Sequence, residues 1–112
     1  MQYFETRFLE EADKFISTLD LKTARKVFYN IDLAEQTNDP RLFKKLKYDI
    51  WEFRTLYNKS YYRLFAFWDK SEKDETIVIS THGITKKTGK TPKSEIEKAE
   101  RLMEQYFKKK KI

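Results

Sequence analysis

The sequence predicts an α+β protein: an N-terminal helical hairpin packed on a small antiparallel β-sheet, followed by a C-terminal helix. Three observations carry that expectation. Apolar residues recur at helical spacing before Pro40, aromatic and β-favouring residues dominate from Ile50 to Asp69, and helical spacing returns after Thr91-Pro92. A length of 112 residues suits one domain, residues 1–112, with room for a single core.

Phe8, Ala12, Phe15, Ile16 and Leu19 fall three and four positions apart, with Glu10, Glu11, Asp13 and Lys14 on the other face, which predicts the first helix. Asp20 is placed to cap a second, in which Ala24, Val27, Phe28, Ile31 and Ala34 keep the period until Thr37-Asn38-Asp39-Pro40 stops it. The next segment, Arg41 to Asp49, mixes Leu42, Phe43 and Leu46 with four basic residues and reads as a short helical turn or connector.

From Ile50 to Asp69 the run IWEFRTLYNKSYYRLFAFWD reads as a β-hairpin turning at Asn58-Lys59. That turn sets the register: Phe53 faces Leu64, Trp51 faces Ala66, and Arg54 faces Arg63. The apolar pairs share one face for the helices to cover, and the two guanidiniums leave the other. A polar connection, Lys70 to Glu75, leads to a third strand, Thr76 to Thr81. Thr91 then reads as the N-cap of a last helix with Pro92 as its first residue, a Ser94/Glu97 capping box, and an apolar face of Ile96, Ala99, Leu102, Met103 and Phe107.

Composition narrows the function. Hydrophobic residues at 39% and aromatics at 16% exclude a disordered chain, so the charged residues decorate a folded surface. With no Cys and a single His the chain offers neither a thiolate nor an imidazole cluster, so neither a metal nor another cofactor is expected. Apolar runs stay far short of the roughly 20 residues of a membrane span, and MQYFETRFLEE lacks the order of a signal peptide, which predicts a cytoplasmic protein without a membrane partner. The net charge of +6 arises wholly in residues 82–112, which hold 10 basic and 4 acidic residues, and this third of the chain is expected to face a polyanion. Its end, residues 108–112, reads as a basic tail.

Two clusters are candidate sites. Like charges directly opposite on a sheet cost roughly 0.2–1 kcal/mol, so Arg54 facing Arg63 indicates either a bound anion or an ordinary Arg-Glu-Arg surface cluster completed by Glu52. The stretch STHGITKKTGKTP, Ser80 to Pro92, holds the sole His82, both glycines, Gly83 and Gly89, and three lysines. A flexible basic loop of this kind can wrap a phosphate, and the imidazole is either a proton carrier beside an RNA 2′-hydroxyl or a hydrogen-bonded anchor. It is not a nucleotide-binding P-loop, since only five residues separate the glycines and the strand before them is antiparallel. Tyr61, Phe65 and Phe67 are either base-stacking or core residues.

The blocks FKKLKYDIWEFR, YYRLFAFWD, IVISTHGITKKTGKTP and SEIEKAERLMEQY, in this order across residues 41–107, resemble the phage-derived HigB branch of the RelE toxin superfamily. The resemblance implies a toxin of a bacterial toxin-antitoxin pair that cuts mRNA on the ribosome without a metal, neutralised by a helix-turn-helix, HigA-like antitoxin. By position, the family's strand arginines correspond to Arg54 and Arg63, and its basic loop to Lys86 and Lys87. With His82 these are the catalytic candidates; Lys44, Lys45, Lys47, Lys90 and Lys93 are the candidates for RNA contacts. His82, Lys87 and Glu52 are the candidates for general base or general acid. A non-catalytic RNA- or ribosome-binding protein and a phage-derived accessory protein are the alternatives.

Overall fold

A computed structural model describes residues 2–71 and 76–110. The order is β1 (Glu5–Phe8), α1 (Glu10–Ser17), α2 (Leu21–Thr37), β2 (Phe43–Lys45), β3 (Trp51–Tyr57), β4 (Ser60–Asp69), β5 (Ile77–Lys86) and α3 (Lys93–Lys110). The five strands form one sheet in the order β1-β5-β4-β3-β2. The α+β class holds, but the sheet is mixed, because β1 runs parallel to β5 from Glu5 opposite Ile77 to Phe8 opposite Ser80. Phe8 therefore ends a strand instead of beginning a helix. A four-residue strand is too short to show its alternation, and Phe8 happens to lie four residues before Ala12.

The first two helices sit on one face of the sheet, α1 against β5 and α2 against β3. Acidic residues Glu10, Glu11 and Asp13 in the first turn of α1 complement the helix dipole. In α2, Asp20 accepts a hydrogen bond from the Thr23 N–H at 2.9 Å, and Asn38, left-handed at φ 52°, donates its N–H to Ala34 at 2.7 Å to end the helix. The Glu35 carboxylate of α2 accepts the Thr6 N–H at 2.8 Å, which satisfies an amide on the outer edge of β1.

Arg41 to Asp49 is not helical: Phe43–Lys45 forms the edge strand β2, with Phe43 opposite Phe53 and Lys44 opposite Glu52. Its side chains alternate over only three positions, and the lysines hid the one inward residue, Phe43, whose ring stacks on Phe53 at 4.5 Å. The hairpin has the expected register, including Arg54 opposite Arg63, around Asn58 (φ 51°) and Lys59 (φ 66°). Positive φ at both turn residues makes the turn twist match that of its strands.

Each face of the sheet carries its own core. Phe53, Leu64, Ala66 and Val78 meet Ala12, Ile16, Val27 and Ile31 on the α1/α2 side, while Phe65, Phe67, Ile77 and Ile79 meet Ile96, Ala99, Met103 and Phe107 on the α3 side. Phe65 and Phe67 are thus core residues and unavailable for base stacking. The proposed basic tail is largely helix: Lys108, Lys109 and Lys110 complete α3, where their charges suit the dipole, and residues 111 and 112 lie outside the described residues. Lys110 donates to the buried Asp69 at 2.6 Å, as does the Tyr106 hydroxyl, also at 2.6 Å. Burial pushes the Asp69 carboxyl up, but hydrogen bonds from Lys110, Ser71 and Tyr106 outweigh it and hold the group well below the usual carboxylate range. Residues 72–75 of the polar connection before β5 lie outside the described residues. Among those described, no helix is long and apolar enough to cross a membrane.

Strand β5 continues five residues past its expected end at Thr81, so Gly83 is a strand residue. A Cβ at Gly83 would run into the Phe15 ring of α1, and neither glycine has a positive φ. Close approach, not backbone freedom, is what Gly83 provides. Gly83→Ala is expected to destabilise the fold by about 1–3 kcal/mol through overpacking, with partial recovery when Phe15 is shortened to Leu. Chemical denaturation of the single and double variants measures this, and an unperturbed single variant would contradict the packing.

Candidate nucleic-acid interface

Cross-strand partners point to the same side of a sheet, so register alone assembles the cationic face. One row across the strands is Lys44, Glu52, Phe65; the next is Arg54, Arg63, Ile84; the next is Leu56, Tyr61, Lys86. Helix α3 covers the Phe65 end of this face. Beyond it Arg54 is 32% exposed and Lys86 half-buried, and Lys87 and Lys90 stand exposed on the short loop that follows β5. Lys44 shares the face at its edge, Lys45 points to the opposite one, Lys47 lies exposed beyond β2, and Lys93 opens α3.

Arg63 does not reach this surface. It is 2% exposed and Glu52 1%, and its Nη1 donates to Glu52 Oε1 at 2.7 Å. The same Nη1 donates to the Thr91 hydroxyl at 2.9 Å, and that hydroxyl donates to the same Glu52 oxygen at 2.8 Å, which closes a ring of three side chains. Arg63 Nη2 donates to the Gly89 carbonyl, and the guanidinium lies over the Tyr61 ring at 5.4 Å. Glu52 Oε2 stands 3.5 Å from Arg54 Nε. One carboxylate therefore separates the two facing arginines, and their repulsion is relieved from within the protein without a bound anion. Thr91 serves this ring and does not cap α3, which starts two residues later at Lys93.

His82 lies on the α3 side of β5, 3% exposed and stacked on Phe65 at 4.8 Å between ring centres. Its Nε2 is 3.0 Å from Glu95 Oε1 and its Nδ1 3.0 Å from the Thr81 hydroxyl. A carboxylate only accepts, so Nε2 carries the proton and, in the neutral ring, Nδ1 accepts from Thr81. Burial pushes the imidazole below its ordinary value near 6.5; the Glu95 hydrogen bond opposes this and Lys98 reinforces it. Hence His82 is neutral at pH 7, has both nitrogens engaged, and makes its hydrogen bonds to Thr81 and Glu95, not to either arginine. The sequence-based grouping of His82 with Arg54, Arg63, Lys86 and Lys87 in one anion site is thus divided: Arg54, Lys86 and Lys87 are accessible, while Arg63 and His82 are buried. Glu95 and Thr91 complete those buried contacts; Glu95 carried no motif, and the motif around Thr91 read only as a helix cap. Among the described residues no group of three or more His, Cys, Asp or Glu side chains could hold a metal ion.

A depressed imidazole pKa means that the unfolded chain binds this proton more readily, so the stability it contributes is present above about pH 6.5 and is lost as pH falls through the folded value. The melting temperature is therefore expected to fall between pH 7.5 and 5.5, and to fall less in His82→Gln. Parallel pH profiles for the two proteins would contradict the assignment.

Residues 14–104 match the model of the family described as phage derived protein Gp49-like (DUF891). No curated protein matches the chain. Among solved structures, a chain from the crystal structure of the toxin-antitoxin complex RelBE2 of Mycobacterium tuberculosis is similar over 74% of this chain and 96% of that one, with 18% identity and a TM-score of 0.51. The mixed sheet flanked by helices is therefore a fold shared with that RelBE2 chain, as the RelE resemblance of the sequence blocks implied, and by the match over most of its length the chain belongs to the phage derived Gp49-like family.

Proposed function

We propose that the protein is the toxin of a toxin-antitoxin pair and that it cleaves mRNA in the ribosomal A site with basic side chains and no metal. The observation that carries this is the placement of Arg54, Lys86 and Lys87 on one accessible end of the sheet, in a fold shared with a chain of a toxin-antitoxin complex. Cleavage requires removal of the 2′-hydroxyl proton, stabilisation of the phosphorane and protonation of the 5′-oxygen. Arg54, held by Glu52, meets the developing negative charge with Lys86. Lys87 is the remaining proton-transfer candidate, since Glu52 is buried against Arg63 and His82 is engaged on both nitrogens. Lys44, Lys90 and Lys93 flank the site for RNA phosphates, and a helix-turn-helix antitoxin encoded next to it is the expected inhibitor in the cytoplasm.

A binding-only reading has one observation in its favour: two of the five catalytic candidates, Arg63 and His82, are sequestered. Induced expression tests the toxin reading. Growth arrest, reversed by co-expression of the neighbouring helix-turn-helix gene, is expected; unaffected growth at verified protein levels would overturn it.

A further inference from the structure

The ring of Arg63, Glu52 and Thr91 joins three separate parts of the chain: β3, β4 and the loop before α3. Nothing in folding the hairpin requires Thr91, because Glu52 and Arg63 already pair at 2.7 Å. What the third member adds is a tether. The Thr91 hydroxyl and the Gly89 carbonyl fix the loop at two points two residues apart, both on one buried guanidinium. Gly89 itself has open space where a Cβ would stand, so its side of the loop is not held by packing. The tethered segment carries Lys87 and Lys90 and continues from Lys86, which Tyr61 pairs with on β4.

We propose that Thr91 is a positioning residue: with Arg63 and Glu52 it clamps the loop so that Lys87 faces the same phosphate as Arg54 and the strand residue Lys86. Arg63 then acts through the loop and not on RNA. The catalytic part rests on the ribonuclease reading above; the clamp itself does not. Threonine suits the role because its one hydroxyl donates to Glu52 while accepting from Arg63, a double duty that valine, of nearly the same shape, cannot perform and serine can.

Three proteins, wild type, Thr91→Val and Thr91→Ser, test this in two measurements. Limited trypsin digestion followed by mass spectrometry reads the cut after Lys87, whose flanking residues none of the variants changes. Single-turnover cleavage of mRNA on programmed ribosomes reads the chemistry. The expectation is that Thr91→Val is cut after Lys87 at least about tenfold faster and cleaves RNA at least about tenfold more slowly at saturating protein, with ribosome affinity within about threefold and melting little changed, and that Thr91→Ser restores both. A Thr91→Val loop as resistant as wild type overturns the clamp. A loosened loop with wild-type cleavage overturns the positioning role. If wild type itself cuts no RNA while the Thr91→Val loop loosens, the ribonuclease reading fails and the clamp stands.

Discussion

Arg63→Ala is expected to lose about 3 kcal/mol of stability, the low end of the range for breaking a buried pair, because the Glu52 carboxylate, buried at 1% exposure, keeps only the partly exposed Arg54, 3.5 Å away, as a charge partner. For a chain of this size that lowers the melting temperature by something on the order of 10–20 °C. The opposing effect, relief of repulsion between facing arginines, is worth only roughly 0.2–1 kcal/mol and is already cancelled by Glu52. The deletion therefore destabilises. Changing both partners to apolar residues of similar volume, Glu52→Leu with Arg63→Met, should recover most of the loss, since no buried charge is then left unpaired. Thermal and denaturant unfolding of the three variants decide the matter. An Arg63→Ala protein as stable as wild type would contradict the account of Glu52–Arg63 as a buried pair that the fold depends on.

Arg54→Ala is expected to behave in the opposite way. Its guanidinium is one-third exposed, and its loss leaves the Glu52–Arg63 pair intact, so folding should be little affected. Cleavage should fall by about 10²–10³-fold, the usual effect of removing one preorganised donor from a developing negative charge. Arg54→Lys should fall between the two, because a lysine keeps the charge but not the planar fork that can engage Glu52 and a phosphate together. Single-turnover assays beside melting curves separate these outcomes, and a folded Arg54→Ala that cleaves at the wild-type rate would remove Arg54 from the chemistry.

The hairpin was the most legible part of the fold. Asn58-Lys59 between two aromatic-rich runs dictates its own register, and from that register alone Arg54 opposite Arg63 and the apolar pairs Phe53/Leu64 and Trp51/Ala66 follow. Asp20 and the stop at Asn38 were equally readable, since caps are local chemistry. Short edge strands were not: β1 and β2 have four and three residues, too few for a period to emerge, and their identity depends on distant partners such as Phe53 and Ile79. At the candidate site the sequence misled about exposure. Glu52 two positions before Arg54 made a surface Arg-Glu-Arg cluster an open alternative; the structure has the three side chains together but buries Glu52 and Arg63 and leaves only Arg54 partly exposed. Which arginine it would bury depends on the loop that folds over Arg63, and Thr91 looked like a helix cap because its tertiary partner lies 39 residues away. His82 likewise gives no sign in the sequence of Glu95, one helix entry later, as its partner.

The most direct test of the account is to map mRNA 5′ ends by primer extension on ribosomes programmed with a defined message and incubated with the purified protein. New ends within the A-site codon, absent without ribosomes and reduced at least about 100-fold with Arg54→Ala, are the predicted result. No new ends at saturating wild-type protein, or undiminished ends with a folded Arg54→Ala, would contradict the claim that this exposed arginine face cleaves ribosome-bound mRNA.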